Sequence, residues 1–235
     1  MQNIGIIGSG AIGEAVARLA VQAGISVTIA NSRGPESLRE LVQELGENAH
    51  AGTVEDAAGY SDLVVLAVPL SAYEALPVEA LRGKLVVSTG NYYPHRDGRI
   101  AALDSLEQTT AEHEKSLLPG VTIVKAFNNI LAHHISALAH STPRTALPLF
   151  SDDAAAHQKT SHLVQALGFD TVNGGGLGES WKAEPESGGY TQTYAADKEG
   201  FAENFWEDPG RVVTADELQG VLDASQRADV AARQF

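Results

Sequence analysis

The stretch NIGIIGSGAIGEAVARLAVQ, residues 3–22, runs from a short β-branched segment through a glycine-rich turn into a helical pattern. Its glycines have the GxGxxG spacing of a dinucleotide-binding turn. Such a turn lets the backbone approach a pyrophosphate, and the helix start offers free N–H groups and a positive dipole. A glycine-rich turn without a ligand is the alternative. The first part of the predicted cofactor site comprises Gly8, Ser9, Gly10, Ala11, Ile12 and Gly13.

Short apolar runs alternate with helical patterns over residues 4–172, as in βαβ units around a parallel sheet. Several runs are continuously apolar, which is typical of strands covered by helices on both faces. We therefore predict an α/β fold of the Rossmann type, with a doubly wound, mainly parallel sheet, helices on both faces and a C-terminal arm. The eight predicted strands cover residues 4–7, 27–30, 49–51, 63–68, 85–88, 121–125, 147–150 and 169–172.

The end of the second predicted strand indicates which dinucleotide is bound. Enzymes that use NAD carry an acidic residue there, about 20 residues beyond the glycines, for the ribose hydroxyls. Here Asn31, Ser32 and Arg33 follow the strand instead, and they suit a 2′-phosphate, which a carboxylate would repel. The sequence therefore favours NADP(H). In the alternative Arg33 is a solvated loop residue, and Arg39 either assists it or faces water.

Loops after three later strands should border the same site, because ligands of open α/β sheets bind outside the carboxyl ends of the strands. The fourth strand leaves through Ala67, Val68 and Pro69, the fifth is followed by Asn91 and Tyr92, and the sixth runs into Ala126, Phe127 and Asn128. Tyr92, Tyr93 and His95 are typical either of an active-site lid or of an aromatic surface loop.

The C-terminal quarter of the chain differs from the rest. We expect an NADP-binding Rossmann domain with the substrate-side strands over residues 1–180, and an acidic, aromatic-rich arm over 181–235 that ends in a helix from about Asp216. About half of the net charge of −14 lies from Glu179 onward. Exposed aromatics would form a large apolar surface, so we predict a homodimer in which the arm packs on the partner. Packing of the arm on its own body is the alternative. These aromatics are Trp181, Tyr190, Tyr194, Phe201, Phe205 and Trp206.

Composition excludes several classes of function. The acidic net charge disfavours nucleic acid as a partner, and the absence of cysteine removes disulfides, thiolate metal sites and a cysteine nucleophile. The longest apolar run has eight residues, whereas a membrane span needs about 20. The adjacent His133 and His134 would point about 100° apart on a helix, so we expect no metal site. We predict a cytoplasmic protein without a membrane partner.

Taken together, these motifs resemble the NADP-dependent oxidoreductases of the coenzyme F-420 (deazaflavin) type, which are related to the cytosolic reductase domain of the STEAP ferric and cupric reductases. The resemblance implies that the glycine loop holds the pyrophosphate, that Ser32 and Arg33 hold the 2′-phosphate, and that residues 67–69 line the nicotinamide. It also implies that Asn91 and residues 126–128 border the redox partner. The matching segments are Ser32-Arg33, residues 124–128, Asp152-Asp153, and residues 175–177 with Trp181 and Glu184.

The predicted function is NADP(H)-dependent hydride transfer to or from a deazaflavin, a flavin or a similar small-molecule acceptor. Cofactors carry this chemistry, so no protein acid or base is obligatory, and Asn91, Tyr92 and Asn128 are the acceptor-side candidates. A non-catalytic NADPH-binding sensor or scaffold is one alternative. A small imino-acid or hydroxy-acid dehydrogenase is another, although only about 60 residues follow the eighth strand, too few for the helical second domain of those enzymes.

Overall fold

The computed structural model describes residues 2–233 and contains one eight-stranded sheet. Its strands are β1 (Asn3–Ile7), β2 (Ser26–Ala30), β3 (Ala49–Ala51), β4 (Leu63–Leu66), β5 (Leu85–Ser88), β6 (Thr122–Lys125), β7 (Ala146–Phe150) and β8 (Asp170–Gly175). They lie in the order β3-β2-β1-β4-β5-β6-β7-β8. Pairs from β3 to β6 are parallel, β6 and β7 are antiparallel, and β7 and β8 are parallel. The predicted Rossmann-type, mainly parallel sheet is confirmed.

Helices connect the strands and cover the sheet. They are α1 (Ala11–Gln22), α2 (Arg39–Leu45), α3 (Val54–Tyr60), α4 (Val78–Leu81), α5 (Pro94–Asp97), α6 (Ala101–Asp104), α7 (Thr110–Leu117), α8 (Ala132–Leu138), α9 (Ala154–Ala166), α10 (Phe201–Asn204) and α11 (Ala215–Ala224). Short 3₁₀ turns occupy Pro35–Leu38, Leu70–Ala75, Leu177–Ala183, Thr191–Tyr194 and Val230–Ala232. No helix within residues 2–233 is both long and apolar enough to cross a membrane.

Alternate residues of the central strands enter two separate cores. In β4, Leu63 and Val65 belong to one buried cluster, while Val64 and Leu66 belong to the other. Successive side chains of a strand point to opposite faces of a sheet, so each face carries its own core. This arrangement explains why the strands are continuously apolar.

The C-terminal ends of two strands differ from the prediction. β4 stops at Leu66, two residues early, because the chain turns out of the sheet towards Pro69, which has no N–H to donate. β8 continues through a glycine segment to Gly175. A Cβ on Gly174 would lie 2.2 Å from the ring of Phe150, so only glycine lets the two strands stay paired there. Gly174 and Gly175, which lie beyond the predicted end of this strand at residue 172, are part of the sheet.

The C-terminal arm packs on the body of its own chain. Tyr194 is fully buried, and its hydroxyl donates to the Ala146 carbonyl oxygen of β7 at 3.0 Å. Leu218 and Leu222 of α11 join the core cluster of the sheet. Thr214 caps α11, the predicted helix of the arm, but the described chain runs on through a further 3₁₀ turn, so this helix is not its last element. The boundary at residue 180 stays a prediction.

Candidate active site

The turn after β1 has the geometry that its glycines predict. Gly8 has a φ of 109°, and a Cβ on Gly13 would lie 2.0 Å from the Gly8 carbonyl oxygen. Glycine is therefore required where α1 packs against the turn. A Cβ on Gly10 would meet no protein atom within 4 Å, and no side chain caps the start of α1. The first N–H groups of α1 remain available as donors for an anion.

A cavity of about 470 Å³ lies in front of this turn, and we refer to it as the phosphate cavity. Three loops predicted to bind the cofactor line it: residues 8–10 after β1, residues 31–33 after β2 and residues 67–69 after β4. These loops leave neighbouring parallel strands and so meet at one edge of the sheet. No carboxylate is among the described residues that line the cavity.

Asn31 fixes the loop that follows β2. Its side-chain amide donates to Ser9 Oγ at 2.9 Å, and its Oδ1 accepts the Arg33 backbone N–H at 2.9 Å. Ser37 Oγ donates to the same Oδ1 at 3.1 Å. Asn31 therefore ties the phosphate turn to the segment that carries Ser32 and Arg33. In the predicted site, Asn31 therefore positions Ser32 and Arg33 relative to the glycine turn.

The Arg33 guanidinium is exposed, and within residues 2–233 it has no hydrogen-bond or ion-pair partner. Arg39, by contrast, forms an exposed ion pair with Glu36. An unpaired cation beside a cavity without a lining carboxylate matches the chemistry of a 2′-phosphate. Arg39 already has an acidic partner and is less available for that role.

A second cavity of about 320 Å³ adjoins the first, and we refer to it as the acceptor cleft. Gly10 and residues 67–69 line both cavities. The acceptor cleft also includes Ala11 and Ile12, and it extends past the ends of β5 and β6 along residues 89–91 and 127–128. The structure thus brings the ends of β1, β4, β5 and β6 together around one space.

Asn91 and Asn128 are hydrogen-bonded to each other beside the acceptor cleft. The Asn91 amide donates to the Asn128 backbone carbonyl at 2.7 Å, and the Asn128 amide donates to Asn91 Oδ1 at 3.3 Å and to the Ala183 carbonyl at 2.9 Å. Asn128 is only 4% exposed, and its Oδ1 has no hydrogen-bond partner among the described residues. An unpaired buried acceptor costs about 1–3 kcal/mol, so a ligand or a water that donates to it would relieve that cost.

Tyr92, a predicted acceptor-side residue, does not line the acceptor cleft. Its side chain is buried, and its hydroxyl donates to Asp104 Oδ1 at 3.1 Å and accepts the Ile100 N–H at 3.0 Å. Successive residues of an extended segment point to opposite sides, so Tyr93 lines the cleft instead. The Tyr93 hydroxyl is hydrogen-bonded to the Tyr190 hydroxyl of the arm.

Ala126 is also outside both cavities. It is fully buried in the core, and its N–H donates to the Ser88 carbonyl at 3.0 Å, because the chain here still follows β6. The next residue, Phe127, has a φ of 59°, a backbone conformation that few residues other than glycine adopt. This turn brings Phe127 and Asn128 to the cleft.

A buried ionic cluster next to the cleft was not predicted. Lys125 Nζ lies 2.6 Å from Glu114 Oε1, and both side chains are fully buried. Ser88 Oγ lies 3.0 Å from the Tyr73 hydroxyl and accepts the N–H of Gly90, a cleft residue, at 3.2 Å. Burial raises the pKa of Tyr73 well above its usual value. The feature of the sequence that could have indicated this pair is Lys125 at the end of an apolar strand, because a buried charge must be paired.

The paired histidines hold the arm. His133 Nε2 and His134 Nε2 donate to the backbone carbonyl of Asp208 at 3.0 and 2.9 Å. Burial lowers the pKa of His134. Within residues 2–233, no group of three or more potential metal ligands is close enough to hold an ion.

Three residues of the arm complete the acceptor cleft: Tyr190, Thr191 and Trp206. From the sequence the arm was predicted only to pack on the body or on a partner, so these three site residues were not predicted. Burial raises the pKa of Tyr190 well above its usual value, so this hydroxyl stays protonated at neutral pH. The signal in the sequence was a dense set of aromatics without helical or strand periodicity.

The chain is similar in sequence to known oxidoreductases. The family model for NADP oxidoreductase, coenzyme F420-dependent, matches residues 3–92. The chain is similar to the metalloreductase STEAP3 of Rattus norvegicus, with 30% identity over 184 residues that cover 77% of this chain and 36% of that protein. A match to the glyoxylate reductase of Thermococcus kodakarensis covers 43% of that enzyme. The chain spans less than half the length of these curated relatives.

Solved structures share the fold over most of the chain. A hypothetical protein from Sinorhizobium meliloti is 30% identical, with a TM-score of 0.71 over 79% of this chain and 91% of that one. A proposed F420-dependent NADP reductase from Arthrobacter sp. FB24 is 23% identical, with a TM-score of 0.64 over 75% of this chain and 86% of that one. At 23% identity, the similarity to the Arthrobacter protein shows a shared fold and nothing more.

Proposed function

We propose that this chain, which is similar over residues 3–92 to the coenzyme F420-dependent NADP oxidoreductases, transfers a hydride between NADP(H) and a deazaflavin, flavin or similar redox acceptor. The observation that carries the proposal is the junction of the phosphate cavity and the acceptor cleft at residues 67–69. A dinucleotide that places its phosphates in the first cavity would end with its nicotinamide at this junction. Its reactive ring would then face the second cavity.

The residues present fit NADP(H). The space in front of Gly10 is open, α1 begins without a side-chain cap, and the Arg33 guanidinium has no partner among residues 2–233. In the proposed complex Ser9, Gly10 and the first N–H groups of α1 hold the pyrophosphate, and Ser32 and Arg33 hold the 2′-phosphate. Val68 and Pro69 then lie against the nicotinamide.

A bound nicotinamide would supply the hydride, which carries two electrons, and the acceptor ring would take the accompanying proton from water. The protein's part is to fix distance and angle and to exclude water. Asn91 and Asn128 form a rigid hydrogen-bonded wall whose free Oδ1 can accept a donor of the acceptor ring. The ionic cluster of Lys125 and Glu114 supports this wall through Ser88 and Gly90.

The test is steady-state oxidation of NADPH with coenzyme F420, FMN, riboflavin and ferric citrate as acceptors. We expect turnover with at least one deazaflavin or flavin, and none in the Gly10→Val variant, whose side chain would occupy the pyrophosphate position. Tight NADPH binding without turnover on any acceptor would favour the sensor or scaffold. Absence of NADPH binding in the unmodified protein would contradict the proposal as a whole.

Two further aspects are also proposals. A cytoplasmic location is supported by the cysteine-free sequence, which suits a reducing compartment. A homodimer is supported only by the frequency of twofold assemblies, since the arm packs on its own body. Light scattering of the full chain at several concentrations tests the dimer, and a constant monomer mass would exclude it.

A further inference from the structure

The arm contributes one side chain that its fold leaves uncovered. Trp206 is 76% exposed, and it is the one large hydrophobic side chain exposed to this degree within residues 2–233. Its ring lies 4.5 Å from the ring of Phe205, centroid to centroid, and it lines the acceptor cleft. Because Trp206 lines the cleft, its exposed indole offers a flat apolar face that a planar ligand in the cleft can cover.

The segment that carries Trp206 is fixed at its base. The Asp208 carboxylate accepts the backbone N–H groups of Ala196, Asp197 and Gly210 at 2.8–3.0 Å. The Asp208 carbonyl accepts hydrogen bonds from His133 and His134 of α8. The Trp206 indole is therefore exposed although its segment is held in place. The backbone of Asp208, two residues further on, is hydrogen-bonded to α8.

The wall beside Trp206 is also fixed. The Tyr93 and Tyr190 hydroxyls are hydrogen-bonded across the cleft edge. The Arg96 guanidinium lies 4.8 Å from the centre of the Tyr93 ring and donates to the Asn91 carbonyl at 2.7 Å. Residues from the Rossmann loops and from the arm thus line the same cleft and are joined to each other by hydrogen bonds.

We propose that Trp206 is the acceptor-stacking residue of this protein, and that the arm selects planar aromatic ring systems as acceptors. The proposal rests on the proposed function and names the side chains that bind its second substrate. A flat ring has apolar faces for an indole and polar edges for the amides of Asn91 and Asn128. A compact, non-aromatic substrate such as a hydroxy acid would leave the indole unused.

The experiment uses the full chain saturated with NADP⁺, which cannot donate a hydride, so binding is measured without turnover. Riboflavin is the probe, and its dissociation constant and emission are measured by titration, because contact with an indole ring quenches flavin emission. We expect Trp206→Ala to raise the dissociation constant at least about fivefold and to remove the quenching. Trp206→Phe should retain most of the affinity.

The matched control is Trp181→Phe. Trp181 is the chain's other tryptophan and lines a different, small cavity beside Tyr92, so this variant should bind and quench riboflavin normally. Circular dichroism and the NADP⁺ dissociation constant show whether each variant is folded with an intact cofactor site.

Three results would overturn the inference. The first is an unchanged riboflavin dissociation constant in Trp206→Ala, and the second is no riboflavin binding by the unmodified protein. The third is a change in oligomeric mass in Trp206→Ala, which would place the indole in a subunit interface. Failure of the proposed function is distinct, since it would appear as absent NADP⁺ binding or absent turnover in the unmodified protein.

Discussion

The phosphate cavity and the acceptor cleft share an edge of the sheet but are built differently. The phosphate side depends on backbone geometry and on one side-chain link, Asn31 to Ser9, between loops 22 residues apart. The acceptor side depends on hydrogen bonds between residues 37, 55 and 97 apart in the chain. The loops of the first half are each recognised from a short local motif, whereas the second half is held together by contacts between residues that are far apart in the chain. Substitutions should therefore affect the two halves in different ways.

The largest effect is expected at the base of the acceptor side. Lys125→Met would leave the Glu114 carboxylate buried without its cation, which costs about 3–5 kcal/mol in the free energy of unfolding. Urea denaturation at neutral pH measures the change. Lys125→Met combined with Glu114→Leu should restore most of the loss, because it is the unpaired charge that is costly. A single variant within about 1 kcal/mol of the unmodified protein would show that the ionic cluster is not needed.

On the phosphate side we expect loss of binding without loss of stability. The Cβ that Gly10→Val adds would meet no atom within 4 Å among residues 2–233 other than its chain neighbours, so the fold should be retained. The pyrophosphate would lose several charge-assisted hydrogen bonds of about 1.5–3 kcal/mol each, so NADPH affinity should fall about a hundredfold or more by calorimetry. Gly220→Val in α11, an equally open position, is the control and should bind NADPH normally. Normal binding by Gly10→Val would place the phosphates elsewhere.

A smaller effect concerns the choice of dinucleotide. If Arg33 holds the 2′-phosphate, NADPH should bind at least about tenfold tighter than NADH, and Arg33→Ala should remove most of that ratio. Arg39→Ala is the matched control, because Arg39 is paired with Glu36 and should leave the ratio unchanged. Equal affinities for the two dinucleotides in the unmodified protein would contradict the assignment.

The same contrast explains how far the sequence could be interpreted. The strand pattern, the glycine turn and the absence of an acid after β2 are local features, and the fold and the phosphate cavity follow from them. Tyr92 and Ala126 were predicted at the cleft because they are next in sequence to residues that line it. Position in the sequence alone does not show which of two successive residues faces a ligand. Tyr190, Thr191 and Trp206 were missed because nothing in an aperiodic segment indicates where it packs.

The smallest expected effect falls on Asn128 and bears most directly on the comparison. Asn128→Ala removes two hydrogen bonds, to Asn91 Oδ1 and to the Ala183 carbonyl, together with the unpaired Oδ1. One neutral hydrogen bond contributes about 0.5–1.5 kcal/mol, so the loss of the bond that Oδ1 can accept from the acceptor should lower kcat/KM about fivefold. The NADPH dissociation constant should stay within about threefold, because Asn128 lines the acceptor cleft but not the phosphate cavity. If NADPH binding weakened instead while turnover at saturation stayed unchanged, Asn128 would belong to the cofactor half, and the division between the two halves would have to move past β6.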